Sequence, residues 1–339
     1  MQTAQEPLLE LVDVSVRFPI RKGVLQKTVA EVKAVSDVTF SVNRGEAFGL
    51  VGESGCGKTT LARAVLRLLE IDGGKIRYAG ESIDDKSARA LAPYRKKVTA
   101  IFQDPFSSLN PRMKSGEILS EVLRVHDYQG DIKTRVVELL ELCGLNNRFT
   151  ELYPHQMSGG QRQRVGIARA LALEPELIVC DEAVSALDVS IQAQIINLLS
   201  ELQAQLGLTY LFIGHDLSVV RYLCDRVAVM YLGNVVESAP ADELFADPQH
   251  PYTQALINAV PDPDPESERG RNIIALQGEV PSPVDPPSGC VFHPRCPIAL
   301  EMCSQSIPVL KSVTSRHFAA CYAIKENITT HNEKEITHE

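Results

Sequence analysis

A chain of 339 residues can bury one large core and an appended smaller unit, since domains usually hold about 100–200 residues. With 44% hydrophobic and 23% charged residues, it is far from the compositions that leave chains disordered. A formal net charge of -9 offers no cationic field to nucleic acid, no apolar run reaches the roughly 20 residues that cross a bilayer, and the first residues lack a leader's basic start and apolar stretch, so a soluble cytoplasmic protein without a nucleic-acid partner is expected.

In chain order, β-rich stretches at 8–18 and 35–42 lead through Asn43-Arg44-Gly45-Glu46 into the apolar run Ala47–Val51. This reads as hairpin, turn and buried strand. A glycine-rich loop follows, and residues 59–69 then repeat apolar positions at helical spacing. A strand at Val98–Phe102 precedes a polar stretch, after which helical periodicity runs from 115 to about 172, predicting an inserted helical subdomain. Strands at 177–180, 210–213 and Arg226–Tyr231 alternate with helices at 191–205 and Leu217–Leu223, which is the α/β pattern of a mostly parallel sheet. From Asp247 proline and aspartate become dense, as in Pro261-Asp262-Pro263-Asp264-Pro265, and suggest a linker. The expected domains are 1–246, with the helical insert at about 104–172, then a proline-rich extension at 247–324 and a disordered tail at 325–339.

The loop Gly52-Glu53-Ser54-Gly55-Cys56-Gly57-Lys58-Thr59 fits G-x-x-x-x-G-K-[ST]. Its glycines let successive backbone N–H groups face phosphate oxygens, Lys58 neutralises β/γ charge, Thr59 offers a hydroxyl to Mg²⁺, and the helix that follows, with Thr60 in its first turn, adds its positive end. A chance glycine turn would not place a strand before and a helix after. The run Leu177-Ile178-Val179-Cys180-Asp181-Glu182 is a buried-type strand ending in two carboxylates. Asp181 suits Mg²⁺ and Glu182 suits polarising a water, although a helix start favours the same residues.

Eight cysteines divide into scattered Cys56, Cys143, Cys180 and Cys224 and clustered Cys290, Cys296, Cys303 and Cys321. In a reducing compartment a local set of four reads as metal ligands rather than as disulfides. Four thiolates suit zinc or an iron–sulfur cluster, and the set lacks the close pairs usual for zinc.

Met157-Ser158-Gly159-Gly160-Gln161-Arg162-Gln163-Arg164 resembles the ABC ATPase signature, with methionine in place of the usual leucine. The whole order resembles that family: phosphate loop, Gln103 after a strand, signature, Asp181-Glu182, Ser185-Ala186-Leu187-Asp188, and His215 after another strand. The resemblance implies an ABC-type P-loop ATPase core with an antiparallel β subdomain, an inserted helical subdomain and a small Cys-rich C-terminal lobe. It also implies ATP and Mg²⁺ as ligands, with Thr59, Gln103 and Asp181 around the Mg²⁺. Glu182 and His215 would be catalytic. Ser158, Gly159, Gly160 and Gln161 would face the nucleotide of the opposite subunit, and Asp188 would cross the seam between subunits. Phe18 would stack on adenine, with Val35 an alternative. Ala183 stands where such transporters commonly have proline.

The stretches His250-Pro251-Tyr252, Pro281-Ser282-Pro283 and Cys290-Val291-Phe292-His293-Pro294-Arg295-Cys296 resemble the oligopeptide, dipeptide and nickel importer ATPases, the F-type chain in particular. That resemblance favours a four-iron, four-sulfur (4Fe-4S) cluster over zinc at the clustered cysteines. It implies an ATPase that energises solute import from the cytoplasmic face of a bacterial inner membrane. Its partners would be a second, distinct ABC ATPase chain, two transmembrane permease subunits and an extracytoplasmic solute-binding protein. Two other readings differ in class. A DNA- or ribosome-associated ABC ATPase would carry long coiled coils or a second cassette, and a regulatory ATPase would sense metal or redox state through the cysteines.

Overall fold

The structure, a computed structural model, describes residues 6–23, 26–102, 108–260 and 278–324. Strands β1 (Leu9–Lys22) and β2 (Lys27–Val42) form an antiparallel hairpin longer than the two apolar stretches predict. The added length is a solvated ribbon, with pairs such as Arg21↔Thr28 and Lys22↔Lys27, where backbone pairing continues without an apolar face. Register shifts along the ladder accompany left-handed Asp13 (φ 51) and Asp37 (φ 49). Their carboxylates accept bonds from Thr39 and Ser15 at 3.0 and 2.8 Å, so a bulge costs no unsatisfied group. Strand β3 is Ala47–Val51; β4 (Gly73–Tyr78) and β5 (Glu81–Ser82) complete a four-stranded sheet in the order β2-β1-β4-β5.

The second sheet adds β6 (Val98–Phe102), β7 (Leu177–Asp181), β8 (Thr209–Gly214), β9 (Arg226–Tyr231), β10 (Asn234–Pro240), β11 (Lys311–Ser312) and β12 (Phe318–Ala319), in the order β11-β12-β10-β9-β3-β8-β7-β6. The five strands from β9 to β6 are parallel. Every residue of β3, β7 and β8 is buried, as a sheet covered on both faces requires. Helix α1 (Lys58–Val65) stops short of the predicted 69 because Arg67 turns left-handed (φ 53) and its guanidinium bonds the carbonyl of Asp84 at 2.8 Å. Helix α2 is Ala92–Lys97.

Between β6 and β7 sits the helical insert, with α3 (Ser115–Val125), α4 (Ile132–Leu142) and α5 (Gly159–Leu171). Buried Leu119, Leu123, Leu139, Leu140 and Val165 hold it to the main core. Helices α6 (Val189–Leu206), α7 (Leu217–Leu223), α8 (Ala241–Ala246) and α9 (Pro251–Asn258) complete the layers.

The C-terminal segment does not stand apart as a small lobe. Strand β12 pairs antiparallel with β10, through Glu237↔Ala319 and Ser238↔Phe318, and Phe292 is fully buried against Tyr231 and Tyr252. Glu237, also fully buried, accepts the N–H groups of Gln249 and His250 and pairs with His317 Nε2 at 2.7 Å. The segment therefore shares the main core, which is why it can order with little apolar surface of its own. The proline-rich linker at 261–265, the expected tail and Gln103 lie outside the described residues.

Candidate functional site

The parallel strands present their carboxyl ends side by side, the usual place for ligands in open α/β sheets. Strand β3 delivers the glycine-rich loop, β7 ends at Asp181, and β8 ends at Gly214 before His215. Gly52 (φ 153) and Gly57 (φ 109) have positive φ, and a Cβ on them would lie 2.1 Å from the carbonyl oxygens of Met230 and Ala34 respectively. Only glycine lets the loop pass so close to neighbouring backbone.

Lys58, 4% exposed, donates through Nζ to the carbonyls of Gly52 at 2.7 Å and Glu53 at 2.9 Å. Its ammonium thus closes the loop on itself. The Cys56 sulfur lies 3.7 Å from the same nitrogen, and burial pushes its thiol pKa up despite Lys58, so it is not a reactive thiolate.

Thr59 Oγ1 donates to Asp181 Oδ1 at 3.2 Å, joining α1 to β7. Burial raises the Asp181 pKa above the ordinary carboxylate value, against the bond from Thr59. A buried carboxylate beside a hydroxyl is the oxygen donor set that suits Mg²⁺. Glu182 adopts a left-handed conformation (φ 50) with its N–H bonded to Ile213 O at 2.9 Å. His215 Nδ1 lies 3.8 Å from Glu182 Oε1, and its ring is 57% exposed.

Phe18, 38% exposed, lines the cleft above the loop with Ser54, Gly55, Lys58, Thr60 and Glu182. Val35, the alternative wall, is 1% exposed and packs in the core. Ser158 caps α5, its hydroxyl accepting the Gln161 N–H at 3.4 Å while Gln161 Oε1 accepts the Ser158 N–H at 3.0 Å. Ser158, Gly159 and Asp188 are not walls of this cleft. Ala183 keeps its backbone in use, its carbonyl accepting from Gln163 Nε2 at 2.6 Å.

The four clustered cysteines come into electrostatic reach of one another, and burial raises the pKa values of Cys290, Cys296 and Cys321. The backbone N–H groups of Phe292, Ile298 and Ala323, two residues beyond each, favour their thiolates. Among the described residues, however, no three His, Cys, Asp or Glu side chains are grouped to hold a metal ion. The metal-binding reading of these four cysteines therefore has no grouped ligand set among the described residues to support it.

Sequence spacing gives no role to three residues at this site. Arg295 and Tyr252 contact Glu53 of the loop, and Pro283 lines the cleft. No local pattern links positions more than 190 residues apart.

The profile of the "ABC transporter" family matches residues 35–185, and that of the "Oligopeptide/dipeptide transporter, C-terminal region" matches 236–303. The oligopeptide transport ATP-binding protein AppF of Bacillus subtilis is 51% identical over 94% of this chain and 98% of its own length. OppF of Salmonella typhimurium, which carries the same description, is 49% identical over 94% and 96%. Among solved structures, the dimeric ATP-binding cassette MJ0796 in a post-hydrolysis state bound to ADP and Pi superposes with a TM-score of 0.61 at 28% identity, over 69% of this chain and 98% of that one. The cbiO1 chain from Clostridium perfringens gives 0.60 at 27% identity, over 72% and 92%.

Proposed function

Because the chain belongs to the ABC transporter family, among its oligopeptide transport ATP-binding proteins, we propose that it binds MgATP at the cleft over the glycine loop and hydrolyses it to drive peptide import. The observation that carries this is the meeting of Lys58, the Thr59–Asp181 pair, Glu182 and His215 at the carboxyl ends of adjacent parallel strands.

Lys58 exchanges the carbonyls of Gly52 and Glu53 for β- and γ-phosphate oxygens, while loop N–H groups and the start of α1 bind the rest. Mg²⁺ would be held by Thr59 and Asp181, with Gln103 contributing, and would supply neutralisation of the phosphate charge. Glu182 accepts a proton from the attacking water. His215, exposed beside it, contacts the γ-phosphate, and Phe18 stacks on adenine. A second ATPase chain presents its signature helix, as Ser158, Gly159, Gly160 and Gln161 do for that chain's nucleotide, with Asp188 at the seam. Closure moves the helical insert against two permease subunits at the cytoplasmic membrane face, and an extracytoplasmic solute-binding protein delivers the cargo. The described residues include no helix long and apolar enough to cross a membrane.

Glu182→Gln should keep ATP binding while turnover falls by about 10²–10⁴-fold, the usual worth of a general base, and Lys58→Ala should lose both. A Glu182→Gln chain that still hydrolyses at the native rate rules the mechanism out.

For the cysteines we propose a 4Fe-4S cluster held by Cys290, Cys296, Cys303 and Cys321. Four thiolates are the ligand set such a cluster takes, and their spacing lacks the close pairs usual for zinc. Anaerobic purification should give a brown protein with about four irons per chain, lost in Cys296→Ser. A colourless, iron-free protein would refute the cluster.

A further inference from the structure

Glu53, the first variable residue of the phosphate loop, is held at three points. Its N–H donates to the Tyr252 hydroxyl at 2.8 Å, its carbonyl accepts from Lys58 Nζ at 2.9 Å, and its carboxylate takes two bonds from Arg295, at 2.7 and 3.1 Å. The Arg295 side chain is 6% exposed and that of Glu53 26%. The guanidinium also lies 5.8 Å from the centre of the Tyr231 ring and donates to its hydroxyl at 3.4 Å. A forked pair so largely shielded from water fixes geometry in a way that an exposed ion pair does not.

Both Tyr252 and Arg295 fall outside residues 35–185, which match the general family, and inside 236–303, which match the transporter-specific C-terminal region. The same segment reaches the cleft from the opposite side, where the Pro283 carbonyl accepts the Lys33 N–H at 3.0 Å and Pro283 lines the cleft with Phe18. The Glu53 carboxylate is itself not a wall of the cleft. Were it released, the first turn of the loop would lose an anchor and a negative charge would be free to approach the triphosphate.

We infer that Arg295 is a positioning residue for the phosphate loop: by gripping Glu53 from the cysteine-rich segment it presets the loop, so that the C-terminal segment sets this chain's affinity for ATP. The inference rests on the nucleotide reading of the cleft. It makes the C-terminal segment part of the ATP site, although no residue of the general phosphate-loop pattern lies in it.

The test uses the full chain, with a fluorescent ATP analogue for binding and steady-state ATPase assays for KM and kcat. Arg295→Gln should weaken binding and raise KM about tenfold, equivalent to about 1.4 kcal/mol, with kcat falling by a smaller factor, and Arg295→Lys should recover part of the loss. Glu53→Ala, which spares the buried segment, should weaken binding by a similar factor. The double variant should be no weaker than either single, because both remove one interaction. Unchanged affinity in either folded single variant, or losses that multiply in the double, overturns the inference. Should Arg295→Gln not fold, Glu53→Ala alone decides on the same criterion. Lys58→Ala separates the two levels: if it still binds the analogue, the nucleotide reading itself has failed.

Discussion

His250 is 1% exposed, and its Nδ1 accepts the Tyr252 N–H at 3.1 Å, capping α9. Burial drives its pKa down to about 4, against a weaker pull from Glu237. Above about 6.5 the ring is neutral in both folded and unfolded chains. Below that value the unfolded chain takes a proton that the folded one refuses until about pH 4, so stability is full above the unfolded pKa and is lost as pH falls toward the folded one. At 1.36 kcal/mol per pH unit the loss is about 3 kcal/mol. Denaturant midpoints measured between pH 7 and 4 should fall less steeply in His250→Asn, which keeps a good cap. An identical slope in that variant would assign the pH dependence elsewhere.

Elements whose parts are contiguous in the chain are legible in its sequence. Strand β3, the loop and α1 follow one another, so the phosphate site reads as a unit, and the insert shows its helical period in buried Leu119, Leu123, Leu139 and Leu140. Short elements leave a fainter trace. Strand β4 fully buries only Ile76, and β12 has two residues. Its place depends on register with β10, some 80 residues earlier. The hairpin ribbon beyond Phe18 escapes the sequence pattern for a related reason: strand pairing there is carried by backbone bonds, which leave no hydropathy signal. Helix α1 reads too long because a left-handed residue such as Arg67 leaves no mark on apolar spacing.

In the shared-site scheme proposed above, the whole molecule supplies half of each catalytic site. Ser158 and Asp188 are exposed and apart from the cleft, and Val189 beside the latter is 84% exposed. In the assembly with a second ATPase chain, Ser158→Arg in this chain should block nucleotide trapping at the partner's phosphate loop and leave trapping at its own. Lys58→Ala should do the reverse, as mass spectrometry of the chains after photolabelling with azido-ATP would show. Trapping on both chains in Ser158→Arg would break the shared-site scheme. The sequence alone made the parts of that scheme legible, because the phosphate loop, the paired carboxylates and the signature are each a run of adjacent residues. Tertiary structure alone decided that Arg295 grips Glu53 and that the cysteine segment joins the main sheet. Those contacts depend on close approach of residues distant in the chain, and distance along a chain carries no information about which side chains will share a core.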